Sequence, residues 1–154
     1  MNRGQVLDAA IAAIRDDLEA LEAMVAMSTD EATNAESKAE NKYDTRSLEA
    51  SYLARGQAER VVALRRLADI LTHAPREAAS ERVGLLSWVT LEDEEGARHD
   101  ILLVPDGGGR RIPVGPESVL LLSPQSPAGR SLLGAEVGDA VELGRTEAEV
   151  VRLD

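Results

Sequence analysis

The chain has 154 residues, a net charge of −11 and no cysteine, which excludes disulfides, thiolate metal sites and cysteine nucleophiles. A pI near 4.7 argues against unaided tracking along nucleic-acid phosphates and leaves basic protein surfaces open as partners. The only aromatic residues are Trp88, Tyr43 and Tyr52, so any core is built from Leu, Val, Ile and Ala.

The first segment carries the clearest pattern. Leu7, Ile11, Ile14, Leu18, Leu21 and Val25 follow at spacings of 4, 3, 4, 3 and 4, the rhythm of a coiled-coil seam. Arg15, Asp16, Asp17, Glu19 and Glu22 fall on the outer face. The opening residues meet acids too soon for a secretory signal, and no apolar run approaches the length needed to span a bilayer. A cytoplasmic protein is expected.

After Met27 the apolar rhythm stops. Ser28–Arg46 (STDEATNAESKAENKYDTR) is polar and bears carboxylates, and the rhythm resumes in Ser47–His73 with Val61, Leu64, Leu67 or Ala68, and Leu71. Upstream the stripe thins to Ala50, Ala54 and Ala58, small enough for close helix approach. Pro75 ends this second helix. A polar segment between two helical runs of matched length predicts an antiparallel coiled-coil hairpin, residues 1–74, with an acidic tip at 28–46. Each helix of about 27 residues would make a stalk of about 40 Å at 1.5 Å per residue. Pairing within the chain is favoured over an intermolecular coiled coil, so a monomer is expected.

Residues 75–81 read as a linker, and the character then changes. Val83–Leu91 and Ile101–Val104 are β-leaning runs separated by a polar turn. Pro105–Pro113 (PDGGGRRIP) reads as a second turn region, and Val119–Leu122 as a buried strand. Ser126–Gly134 has an N-cap, a proline at the first helical position and a terminating glycine, which predicts a short helix. Gly138-Asp139 is a turn, and Ala140–Leu143 and Val150–Leu153 are final strands. Residues 82–154 thus form a mostly antiparallel sheet with one short helix, and the whole chain belongs to the α+β class.

Several features carry structural readings. Gly107-Gly108-Gly109 lacks the Lys-Ser/Thr of a phosphate cradle and is a strand connection. Pro124 and Pro127 have PxxP spacing, yet the second opens a helix. His73 and His99 have no partner at metal-ligand spacing. No nucleophile motif of the GxSxG kind occurs, so the chain is not expected to be an enzyme alone or to hold a cofactor of its own.

Two stretches resemble the Gre family of bacterial transcription elongation factors. Leu122–Leu143 (LSPQSPAGRSLLGAEVGDAVEL) is similar to the strand–SP–helix–glycine–turn–strand signature of their C-terminal domain. Ala39–Gly56 (AENKYDTRSLEASYLARG) is similar to the passage from hairpin apex into second helix, where an acid is followed by Asn. The resemblance implies an FKBP-like C-terminal domain that binds RNA polymerase, here through Ser126, Pro127, Gly129 and Arg130, and a hairpin pushed into the secondary channel. It also implies tip carboxylates that help hold an Mg²⁺ of the polymerase, with the nascent RNA 3′ end and the DNA met only indirectly. Magnesium is a hard cation that takes carboxylate oxygens, and a second metal can activate water for attack on a phosphodiester.

Glu40 and Asn41 fall on the family's apical acid–Asn pair. Ser37 stands where cleavage-competent members carry another acid. Glu36, Glu40 and Asp44 are spaced by four and would share one face of a helical tip, with Tyr43 as a further tip contact or a neck-packing aromatic. Stimulation of transcript cleavage and modulation without cleavage both stay open. So do a merely solvated apex and, as a separate class, a protein-interaction adaptor of the same architecture that binds another partner or self-associates.

Overall fold

A computed structural model describes residues 1–36, 45–77 and 80–154. The first helix, α1, spans Arg3–Glu36, and the second, α2, spans Thr45–Thr72. Asn2 and Gln5 start α1 by exchanging two bonds: the Asn2 side chain accepts from the Gln5 amide and the Gln5 side chain accepts from the Asn2 amide, both at 2.9 Å. This reciprocal arrangement satisfies donors that a helix start leaves free.

The helix does not stop where the apolar rhythm stops. It continues beyond Met27 through Ser28–Glu36. The hydroxyls of Thr29 and Thr33 donate back to the carbonyls of Val25 and Thr29 at 2.8 and 2.9 Å, so these polar side chains follow the helix instead of capping it. At 1.5 Å per residue, α1 is about 51 Å long and α2 about 42 Å.

The helices pack antiparallel. Leu7, Ile11 and Ile14 are buried against Leu64, Leu67, Ala68 and Leu71, while Leu18, Leu21 and Val25 are half-buried. Leu67 and Ala68 are both inside. The small-residue stripe is narrower than expected: Ala54 is half-buried, but Ala50 and Ala58 are exposed. The inward phase of α2 runs through Ala54, Gln57 and Val61, because alternating steps of three and four carry the seam past position 58. Gln57 therefore enters the seam, and its Oε1 is buried with no partner among the described residues.

Among the described residues beyond the hairpin lie six strands and one short helix. They are β1 (Trp88–Asp93), β2 (Arg98–Leu103), β3 (Arg110–Val114), β4 (Glu117–Leu122), α3 (Pro127–Leu132), β5 (Ala140–Leu143) and β6 (Thr146–Leu153). The sheet order is β3-β4-β2-β1-β6-β5. All neighbours are antiparallel except β2 and β4, which are parallel with Leu102 opposite Leu121. The expectation of a sheet with one short helix holds, and the chain is α+β.

Several strand boundaries differ from the sequence reading; β2 begins at Arg98 and β4 at Glu117, ahead of the expected Ile101 and Val119. The glycine-rich stretch Pro105–Pro113 is a turn only in its first half, and Arg110–Val114 pairs with β4. Pro113 obscured this strand; it is tolerated because β3 lies on the sheet edge, where a missing N–H breaks no ladder. The first strand begins at Trp88, five residues after Val83, since Leu86 takes a positive φ of 68° that no strand accommodates. The last strand begins early, at Thr146, because pairing with β5 recruits polar residues that periodicity alone did not mark.

The sheet buries both faces. One face, with Trp88, Leu102, Ile112, Val119 and Leu121, shares a hydrophobic cluster with Val6, Leu7, Ile14, Leu64 and Leu71 from the hairpin base. The other, with Val89, Leu91, Ile101 and Leu103, packs against Leu132, Val141 and Val150. Thus the base of the hairpin covers part of one face and α3 packs on the other. No described helix is long and apolar enough to cross a membrane.

Candidate functional site: the projecting hairpin and the α3 corner

The direction of the two helices is set by how their base is held. Arg3 is 7% exposed, and its guanidinium donates to the carbonyls of Pro75 at 2.8 Å and Asp154 at 2.9 Å. It joins the start of α1, the segment after α2 and the chain's last residue. Burial lowers its pKa, with Asp154 opposing that effect. Farther out, Arg110 of β3 pairs with Asp17 and also donates to the Ala13 carbonyl at 3.2 Å. Arg76 pairs with Asp8 at 2.7 Å.

Past Leu21 no described residue of α1 belongs to the sheet-side cluster. Glu22 is braced to Arg65 of α2 at 2.5 Å, and the helices then run outward with only each other for support. Residues 22–36 cover about 22 Å by the helical rise. Met24, Met27, Leu48, Tyr52 and Leu53 are all more than half exposed on this distal part. A stalk whose seam holds small or polar groups while its larger apolar side chains face outward presents contact surface to whatever surrounds it.

Glu40, Asn41, Tyr43 and Asp44 lie outside the described residues, as does Ser37. Glu36 is the last residue of α1, but its side chain is likewise outside the description. The convergence of the three carboxylates is therefore an expectation from sequence alone. Among the described residues, no group of three or more His, Asp or Glu could hold a metal ion.

The α3 corner is fully described. Ser126 is the N-cap, accepting from the Gly129 amide at 3.0 Å and donating to the Ser123 carbonyl at 2.9 Å. Pro127 occupies the first turn, where a missing N–H costs nothing. Gly129 is buried, and only glycine fits there, since a Cβ would stand 2.0 Å from the Ser123 oxygen. Arg130 is exposed and donates to the Gln125 carbonyl at 2.7 Å. So the Ser-Pro-x-Gly pattern folds a tight corner, and Pro127 and Arg130 are its outward-facing members. Beside it, Gly134 and Ala135 exchange backbone bonds of 2.8 Å with Val83. Leu85, Leu133 and Val137, between 44% and 58% exposed, leave apolar surface on this side.

Sequence reasoning missed one cluster entirely. Asp93 holds the β1–β2 turn: its carboxylate accepts from the Glu95 and Ala97 amides at 3.0 and 2.8 Å and pairs with His99 at 2.8 Å. These bonds, the one from His99 first, hold its pKa below the usual carboxylate value. The signal was present as Asp-x-x-Gly before a histidine, but the pairing of residues six apart appears only once the hairpin is formed.

No protein-family model and no curated protein matches the chain. Solved structures similar to it include the GreA factor homolog 1 (Gfh1) protein of Thermus thermophilus, 25% identical over 95% of both chains with a TM-score of 0.40. Another is a structure described as the transcription factor Gfh1, 26% identical over 94% of this chain and 93% of that one, also at 0.40. Gfh1 of Thermus aquaticus is 27% identical over 95% and 94%, with a TM-score of 0.36. Superpositions at this level say nothing by themselves about what this chain does.

Proposed function

We propose that this protein is a Gre-like transcription factor that docks on RNA polymerase through the α3 corner and carries its hairpin apex into the secondary channel. The observation that carries the reading is the hairpin itself: two helices held at the base by Arg3 and Arg110, projecting past the sheet, with a carboxylate-bearing segment between them. A carboxylate can serve a distant active site only if a stiff element brings it there. The Ser-Pro-x-Gly corner, similar to the Gre signature, supports the docking end.

In this reading Glu40, with Glu36 or Asp44, adds oxygen ligands to the polymerase's own Mg²⁺. The chain supplies no catalysis alone. Ser37, in place of a second family acid, favours modulation of the active site over strong cleavage stimulation. The adaptor reading keeps the same architecture with a different partner, and one experiment separates the two. Tagged protein should retain core RNA polymerase in a pull-down, and absence of binding sinks the transcription reading. In cleavage assays on stalled elongation complexes, any stimulation should be lost in Glu40→Ala and Asp44→Ala. Wild-type stimulation that both variants match would rule out the tip-acid mechanism.

A further inference from the structure

The hairpin base covers only part of its sheet face. The remainder forms an open groove of about 590 Å³, bordered by Met1, Arg98, Asp100, Arg111, Glu117 and Arg152. In a chain of net charge −11, this groove gathers three guanidiniums, two of them held by Glu92 and Asp154, while the Met1 amine pairs with Glu117.

The arginines are set for recognition. Arg152 lies over the Trp88 ring, 4.2 Å from its centroid, and its Nε faces Asp154 at 2.5 Å. Arg98 is held the same way, with Nε donating to Glu92 at 3.1 Å. In both, the pairing uses the Nε side, and the Nη edge has no other partner among the described residues. That edge is the fork that grips a carboxylate bidentately. Thr90 stands opposite both Asp100 and Arg152, and Glu92 opposite Arg98. Arg98 and Arg152 therefore flank β1 on one face, two strand spacings apart and offset by two residues along the strands, about 12 Å between backbones, close enough for both long side chains to reach a single ligand.

The floor narrows the choice of ligand. Asp100 accepts from Trp88 Nε1 at 3.2 Å and Thr90 Oγ1 at 2.7 Å, both through Oδ1. Its Oδ2 has no partner among the described residues and, open to the groove, is free to accept from a ligand. Trp88 is 1% exposed, so it offers no stacking platform to a nucleobase. Inorganic phosphate supplies charge for the arginines but at most one P–OH donor for Asp100, and it sets a second negative charge beside that carboxylate. A peptide supplies both, with side-chain carboxylates for the forks and backbone N–H for Asp100.

We propose that this groove binds an acidic, extended segment of a protein partner, with Arg98 and Arg152 taking its carboxylates and Asp100 accepting from its backbone. The site is separate from the apex and from the α3 corner, and it does not depend on the polymerase reading. The test uses the full chain and a fluorescently labelled peptide of alternating aspartate and glutamate, followed by anisotropy. Binding should saturate and weaken with salt, and the asparagine–glutamine counterpart should bind roughly tenfold or more weakly.

Arg98→Gln and Arg152→Gln should each weaken binding by about tenfold, whereas Arg66→Gln, on the exposed side of α2, should not. The emission of Trp88, the only tryptophan, confirms that Arg98→Gln keeps the fold and, in the wild type, should shift as peptide engages Arg152. Equal binding of the uncharged peptide, or unchanged affinity in both groove variants, overturns the proposal. Competition by inorganic phosphate at the peptide's own concentration range also overturns it, leaving a simple anion site.

Discussion

Leu71→Ala tests whether hairpin and sheet unfold as one body. Leu71 is fully buried near the end of α2, in the cluster that also holds Ile14 from α1 and Trp88, Leu102 and Leu121 from the sheet. Truncating a buried leucine removes its transfer free energy and leaves a cavity, together costing about 2–5 kcal/mol. A domain of this size has about 5–15 kcal/mol in all, so the change is large. At 2–4 °C per kcal/mol for chains of this length, a loss of about 3 kcal/mol lowers Tm by roughly 6–12 °C.

Two probes view the two sides of the cluster. Helical circular dichroism follows the hairpin, and Trp88 fluorescence follows the sheet. Because the cluster is shared, both transitions should shift together by the same free energy, as two-state unfolding requires. Loss of helical signal at lower denaturant with an unmoved Trp88 transition would refute the shared core. The hairpin would then be an independent unit, and its orientation would not be set by the sheet.

Gly129→Ala should destabilise the chain by about 1–3 kcal/mol or more, because the new Cβ would overlap the Ser123 carbonyl and force α3 off its cap; equilibrium urea unfolding measures it, and a change below about 0.5 kcal/mol would mean that the corner relaxes freely. The Asp93 turn should weaken in acid. Its folded pKa is depressed, so its contribution is complete above the unfolded carboxylate value near 3.9 and is lost as pH falls through the lower folded value. Monitored by NMR, the Asp93 carboxyl should titrate below ordinary aspartates, and His99→Ala should move it back up. A titration unmoved by that substitution would assign the depression to the backbone amides alone.

The expected hairpin, the short capped helix and most strands were legible because each follows from local chemistry: steps of three and four, Ser-Pro before an apolar pair, β-branched runs between turns. β3 was not legible, since Pro113 and three glycines disguise a strand that only an edge position permits. The candidate site divides the same way. Ser126, Pro127, Gly129 and Arg130 were singled out through the resemblance, and the structure gives Ser126 and Gly129 capping or buried work and leaves Pro127 and Arg130 outward. The Asp93–His99 pair left only an Asp-x-x-Gly turn signal in the sequence, and the groove of Arg98, Arg111 and Arg152 left none, because their members meet only across strands.

What the sequence determined by itself is therefore the kind of element at each position and the existence of a polar segment between two paired helices. Periodicity is local, and a run that alternates by three and four has one stable way to bury its stripe. Tertiary structure alone decided that Leu7 and Leu71 share a cluster with Trp88 and Leu121, that Arg3 ties the start of the chain to Asp154, and that part of a sheet face is left open and bordered by arginine. Such contacts depend on sheet order and on where a helix pair lands, quantities set by the sum of many burials and carried by no single stretch of residues.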